Sequence, residues 1–151
     1  MIITEQGHKR IIDELNHIRK NDLVEASQRL EETRPYGVSD EYPPEYLQAI
    51  DNMNRVEKKI STLQEILSSS SIFNLGMILD KTKIGFGATV TYLNEDTDKE
   101  YTYKLVSSYE SDISKGLLSI ESPIGKEMIG ASVDDIFEVN GQEYTIISIK
   151  Y

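Results

Sequence analysis

Three carboxylates crowd one short stretch of the chain. Asp40, Glu41 and Glu45 all fall within Gly37-Val38-Ser39-Asp40-Glu41-Tyr42-Pro43-Pro44-Glu45-Tyr46. Clustered carboxylate oxygens are hard donors, the kind that bind Mg²⁺ or another divalent cation. Two or three acids on a loop cannot complete an octahedral shell. They can complete one whose remaining ligands belong to a partner. The plainer reading is a polar turn that carries acids for solubility.

Other residue patterns fare less well. Asn94-Glu95-Asp96-Thr97-Asp98 alternates oxygen donors. An EF-hand loop counted from Asp96 needs Gly and Glu where Tyr101 and Ser107 stand, so a solvated hairpin is expected. Ile84-Gly85-Phe86-Gly87-Ala88 precedes a strand, whereas a phosphate cradle precedes a helix; a bend into a sheet is expected. His8 and His17 have no second ligand pair nearby. Arg29, Arg34 and Arg55 could form a basic stripe facing RNA. Alternatively, Arg29 pairs with Asp51 and Arg55 with Glu25 across two antiparallel helices.

The acidic stretch is positioned by what flanks it. Thr4 is a plausible N-cap with Glu5 in the first turn. Apolar residues follow at Ile11, Leu15 and Ile18, then at Leu23, Ala26 and Leu30, a helical stripe that slips once near Asn21-Asp22. Arg34-Pro35 stops it, because the residue before proline is driven from the α region. Tyr46, Ile50, Met53, Val56, Ile60, Leu63 and Leu67 step by three and four, a coiled-coil seam. The short turn makes the preceding helix its antiparallel partner. Pro44 suits a first helical position. About thirty residues of helix make an arm of roughly 45 Å with the acids at its end. Ser68 to Ser71 are expected to fray the second helix and begin a linker.

Beyond Gly76 the period changes. Ala88–Leu93, Tyr101–Val106, Leu117–Ile120, Ile136–Val139 and Tyr144–Ile149 read as strands, with turns at 94–98 and at Asn140-Gly141. Pro123 to Ile129 reads as a short helix capped by Ser122. The predicted organisation is a helical coiled-coil domain over residues 1–75, its tip at 35–45, and an α+β domain over 76–151 with a mostly antiparallel sheet.

Composition agrees with this division. Charged residues make up 28% and apolar residues 38% of the 151, which suits much exposed surface. Net charge is −10, from 16 basic and 26 acidic groups. Neither half is a basic platform, so direct affinity for DNA or RNA should be weak. There is no cysteine, which excludes disulfide and thiolate chemistry. Neither a signal-peptide core nor a membrane-spanning run is evident, and a cytoplasmic location is expected.

With these residues in view, the chain resembles the bacterial Gre transcript-cleavage factors, GreA type, over essentially its whole length. The resemblance is carried by Phe86-Gly87-Ala88-Thr89-Val90-Thr91-Tyr92-Leu93-Asn94 and by Ser119-Ile120-Glu121-Ser122-Pro123-Ile124-Gly125-Lys126-Glu127-Met128-Ile129-Gly130. Thr4-Glu5-Gln6-Gly7 also resembles the family's start. The resemblance implies an N-terminal coiled coil and an FKBP-like C-terminal domain. It further implies binding to bacterial RNA polymerase and insertion of the coiled coil into the secondary channel. There the tip acids help hold Mg²⁺ while the polymerase cleaves the nascent RNA 3′ end. In that picture the factor is an accessory donor of ligands, and the Mg²⁺ is held mainly by the polymerase. Asp40 and Glu41 would be the metal-side acids with Glu45 trailing. Arg34 and Tyr42 would lie near RNA, and Ser122-Pro123-Ile124-Gly125 would dock the polymerase.

The tip departs from the family pattern Gly-Asp-x-x-Glu-Asn-x-Glu-Tyr by one extra residue. Anchored on Gly37, Val38 takes the Asp position and Glu41 the Glu position. Anchored on Glu45-Tyr46, Ser39 and Tyr42 take them. Two further readings follow. A regulator on the same scaffold could occlude the channel without supporting cleavage. A prolyl isomerase or chaperone could share the FKBP-like fold, but needs an aromatic-lined pocket, and the aromatics here read as sheet packing.

Overall fold

A computed structural model describes residues 1–37 and 41–151; Asp40, the first of the predicted metal-side acids, lies outside the described residues. By contacts the chain divides into two units: Met1–Gly7 with Ser71–Tyr151, and His8–Ser70. The sequence-based expectation was one boundary after residue 75. The contacts place a first segment, Met1–Gly7, with the sheet unit.

In the helical unit, α1 (Glu5–His17, its first residues lying in the other unit) runs into a π-helical segment, Ile18–Asp22, and then α2 (Leu23–Glu32). The slip in the apolar stripe is this π segment. Ile18 and Leu23 are five residues apart, and one wider turn brings both to the same side. The second helix, α3 (Pro44–Ser69), packs against α2 and the π segment. Every residue of the predicted seam, Tyr46 through Leu67, is half-buried or buried, and Ala49 adds a fully covered position where close approach needs a small side chain.

The expected pairs Arg29–Asp51 and Arg55–Glu25 do not form. Arg29 sits 3.9 Å from Glu32, Arg34 sits 3.6 Å from Glu31, and Arg55 pairs with Asp51 within its own helix. A helix itself holds residues three and four apart at bonding distance, whereas a cross-helix pair requires the register to deliver it. Lys59 does reach across the helices, to Glu14 at 2.8 Å.

The serine run does not begin a linker. Helix α3 continues to Ser69, with Ser68 and Ser69 hydroxyls donating to the carbonyl of Glu65. Ser71–Ile72 (β2) then pairs in parallel with Ile2–Ile3 (β1), a strand that two residues are too few to announce.

Among the described residues the main sheet of this unit has five strands in the order β5-β4-β3-β7-β6: β3 (Thr89–Asn94), β4 (Lys99–Val106), β5 (Leu117–Ser119), β6 (Ile136–Val139) and β7 (Gln142–Lys150). Within this five-stranded sheet all pairings are antiparallel except β4 with β5. Asn140 and Gly141 both take positive φ, 55° and 77°, as the two-residue turn between β6 and β7 demands. The other hairpin is an Asx turn, with Asn94 Oδ1 accepting from the amides of Asp96 and Thr97 at 3.0 Å. Helix α4 (Pro123–Met128) covers the core through Met128.

The aromatics are the interior of this unit. Tyr92 lies 5.5 Å from Tyr101, 5.8 Å from Phe137 and 5.6 Å from Tyr144, ring centre to ring centre. Burial raises the Tyr92 hydroxyl well above the usual tyrosine value. These rings pack on one another within the core of the sheet, as the alternation along the strands predicts.

Candidate functional site

At the turn of the helical unit, α2 ends on Thr33, whose amide and hydroxyl both donate to the carbonyl of Arg29, at 3.1 and 2.8 Å. Arg34 follows, two-thirds exposed and beside Glu31. On the return side, Pro43 is extended (φ −56°, ψ 143°) and its carbonyl accepts from the amides of Tyr46 and Leu47. Pro44 takes the first helical position, as its missing N–H allows. The N-cap residue itself, Pro43, offers no side-chain cap.

Glu41 and Glu45 are both exposed at this end. Glu45 lies in the first turn of α3, where a carboxylate also favours the helix dipole. These are hard donors of the right chemistry for Mg²⁺, and too few to enclose it. Among the described residues no group of three or more His, Asp or Glu is placed to hold a metal ion. Whether Asp40 and Glu41 project together falls outside the described residues. Tyr42 packs its ring 5.4 Å from that of Tyr46, and Tyr36 stands fully exposed.

The second predicted element lies in the sheet unit. Ser122 caps α4 as expected: its hydroxyl accepts from the Gly125 amide at 3.0 Å and donates to the Ser119 carbonyl at 2.6 Å. Pro123 occupies the first helical position and is exposed; Ile124 is half-buried on the core. Gly125 is fixed by space. A Cβ there would lie 2.2 Å from the Ser119 carbonyl oxygen, so only glycine lets the helix lie on the end of β5. Beside this loop an open cavity of about 180 Å³ is lined by Leu118, Ser122, Pro123, Ile124, Val139, Asn140 and Tyr144.

Sequence reasoning missed a buried acid. Glu110 is 2% exposed, and its carboxylate accepts from the Thr4 amide at 3.1 and 3.2 Å, the Thr4 hydroxyl, and the Ser107 hydroxyl at 2.9 Å. Thr4 Oγ1 in turn accepts from the Gly7 amide at 2.9 Å, the predicted cap. A Cβ on Gly7 would lie 2.1 Å from Glu110 Oε1. Thr4 and Gly7 thus serve one tie between the first residues and the sheet unit. A lone Glu in Ser107-Ser108-Tyr109-Glu110 carries no periodic signal; only the Thr-x-x-Gly start hinted at its partners.

Among the described residues no helix is long and apolar enough to cross a membrane. The family model described as transcription elongation factor, N-terminal, matches residues 1–72, and the one described as transcription elongation factor, GreA/GreB, C-term, matches residues 79–151. Transcription elongation factor GreA of Rickettsia bellii is 37% identical, over 99% of this chain and 94% of that protein. The GreA of Xanthomonas axonopodis pv. citri is 32% identical, over 99% of this chain and 96% of that protein. Among solved structures, GreA factor homolog 1 of Thermus thermophilus is 25% identical over 100% of this chain and 99% of that one; its TM-score of 0.43 is too low to bear on the fold. Matched by both family models in sequence order and by full-length relatives above 30% identity, this chain belongs to the GreA/GreB family of transcription elongation factors.

Proposed function

We propose that this elongation factor binds bacterial RNA polymerase through its sheet unit, which we read as FKBP-like. Its helical pair then acts as a coiled-coil arm in the secondary channel, stimulating Mg²⁺-dependent cleavage of backtracked RNA. The observation that carries the reading is the exposure of Glu41 and Glu45 at the end of the helical unit, where the packed seam stops at Tyr46. Asp40 joins them by sequence. The protein is an accessory factor: its acids complete a ligand set supplied mainly by the polymerase. When bound, the cation supplies charge stabilisation to the attacking and leaving oxygens of the phosphodiester. The acids of this chain orient water and neutralise the site, and the rigid helices fix where those oxygens sit. With a net charge of −10 the free protein holds RNA or DNA weakly, and Arg34 and Tyr42 meet the RNA 3′ end within the complex. Ser122-Pro123-Ile124-Gly125 forms the docking loop, presenting Pro123 beside the cavity next to α4.

Cleavage of stalled complexes by wild type, Asp40→Ala/Glu41→Ala and Glu45→Ala tests the assignment. The double variant should lose on the order of a hundredfold in rate, with polymerase pull-down unchanged. Equal cleavage by all three proteins removes these acids from the mechanism. Pro123→Ala should weaken the pull-down and leave unfolding unchanged.

A second reading is favoured by the extra tip residue and the Pro43-Pro44 pair: the arm occupies the channel and slows transcription without supporting cleavage. Reduced elongation with intact RNA 3′ ends selects it.

A further inference from the structure

Tyr36 and Tyr42 lie outside the packing that holds the helices together. The seam ends at Tyr46, and α2 has already ended at Glu32. Tyr36 is fully exposed, just before Gly37 at φ +92°. Tyr42 is 55% exposed, and its ring leans on Tyr46 at an interplanar angle of 47°, which steadies it with much of its surface open. Both rings keep large open surfaces, and a turn that required only solubility would be served by smaller polar side chains. Two open aromatic faces therefore flank the acidic stretch, one on each side of it in sequence.

The chain's charge narrows what those faces can hold. At net −10, with Arg34 beside Glu31, electrostatics do not attract phosphate to this end. Stacking on a base face needs no net charge and tolerates any sequence, because every nucleobase has a π-face. We infer that Tyr36 and Tyr42 form a stacking platform for an unpaired base of the RNA 3′ segment, holding the strand beside the acids. The inference rests on the proposed delivery of this turn to the polymerase active site. It adds a sequence-tolerant RNA contact that depends on rings and not on charge.

The test uses stalled polymerase complexes whose RNA carries 2-aminopurine near its 3′ end. Fluorescence and cleavage are followed with saturating wild type, Tyr36→Ala/Tyr42→Ala and Tyr36→Phe/Tyr42→Phe. Wild type and the Phe pair should quench the base and cleave alike. The Ala pair should lose the quenching and cleave about tenfold more slowly, with polymerase pull-down and thermal unfolding unchanged. An Ala pair that quenches and cleaves like wild type overturns the platform. So does one that only binds polymerase more weakly and recovers fully at saturation, since the rings would then touch a protein wall. If wild type itself binds polymerase yet neither cleaves nor quenches, it is the delivery reading that fails. Activity of the wild type separates the two failures.

Discussion

Two helices in this protein begin with proline, and their surroundings could hardly differ more. Helix α4 starts at Pro123 with a serine cap bonded in both directions and a glycine wedged against the carbonyl of Ser119. Helix α3 starts at Pro44 after another proline, which offers no side-chain cap, with exposed acids and tyrosines near it in sequence. At α4 nearly every residue is demanded by the fold. At the helical turn the described acids, Glu41 and Glu45, and the rings of Tyr36 and Tyr42 stand exposed. A loop whose sequence the fold does not dictate is where function is best sought.

The sharpest way to break this contrast is Gly125→Ala. Its Cβ would overlap a backbone oxygen that cannot move alone, so the sheet unit should lose about 2–3 kcal/mol, the upper range for overpacking. Urea unfolding followed by tyrosine absorbance measures it; a loss below ~0.5 kcal/mol would show that α4 is not seated as described. Ser122→Ala comes next, with about 1 kcal/mol for the lost cap. On the other side of the comparison, Pro44→Ala and Glu45→Gln should each stay within roughly 0.5 kcal/mol of wild type. A larger cost at either would mean that the helical turn is structural after all.

The smallest effect contrasts carboxylates. Asp112 bonds Lys115 at 2.8 Å and the Ser114 hydroxyl at 2.6 Å, and these contacts hold its pKa at about 2, below the ordinary 3.8. A depressed folded value stabilises the fold above the unfolded pKa, and that contribution is lost as pH falls through about 2. Asp112→Asn should therefore be slightly less stable than wild type at pH 7, with the gap closing between about 4 and 2. A gap that persists at pH 2 would assign the effect to the side chain's shape.

Periodicity carried the elements. The three-four stepping from Tyr46 to Leu67 gave the buried side of α3, and even the slip at Asn21-Asp22 proved to be a real feature, the π segment. Turn chemistry gave Asn140-Gly141 and the Asn94 turn, because φ > 0 and Asx bonding favour few residue types. What was illegible depended on distance in sequence. The pairing of Ile2–Ile3 with Ser71–Ile72 joins segments nearly seventy residues apart, and each strand is too short to show alternation. Arginine partners were misjudged because a charge reads the same whether its acid lies one turn away or across the seam. Of the candidate site, the cap that Ser122 places on α4 was readable, while Glu110 was not.

By itself, then, the order of residues determined the long helices and the longer strands and which of their faces are apolar, since those follow from local sterics and spacing. Tertiary structure alone decided that Glu110 is buried against Thr4, that Gly7 and Gly125 admit no Cβ, and that the tyrosines of the sheet share one interior while Tyr36 and Tyr42 are left to solvent. Those outcomes depend on what lies within a few ångströms, and the neighbours come from parts of the chain that only folding brings together.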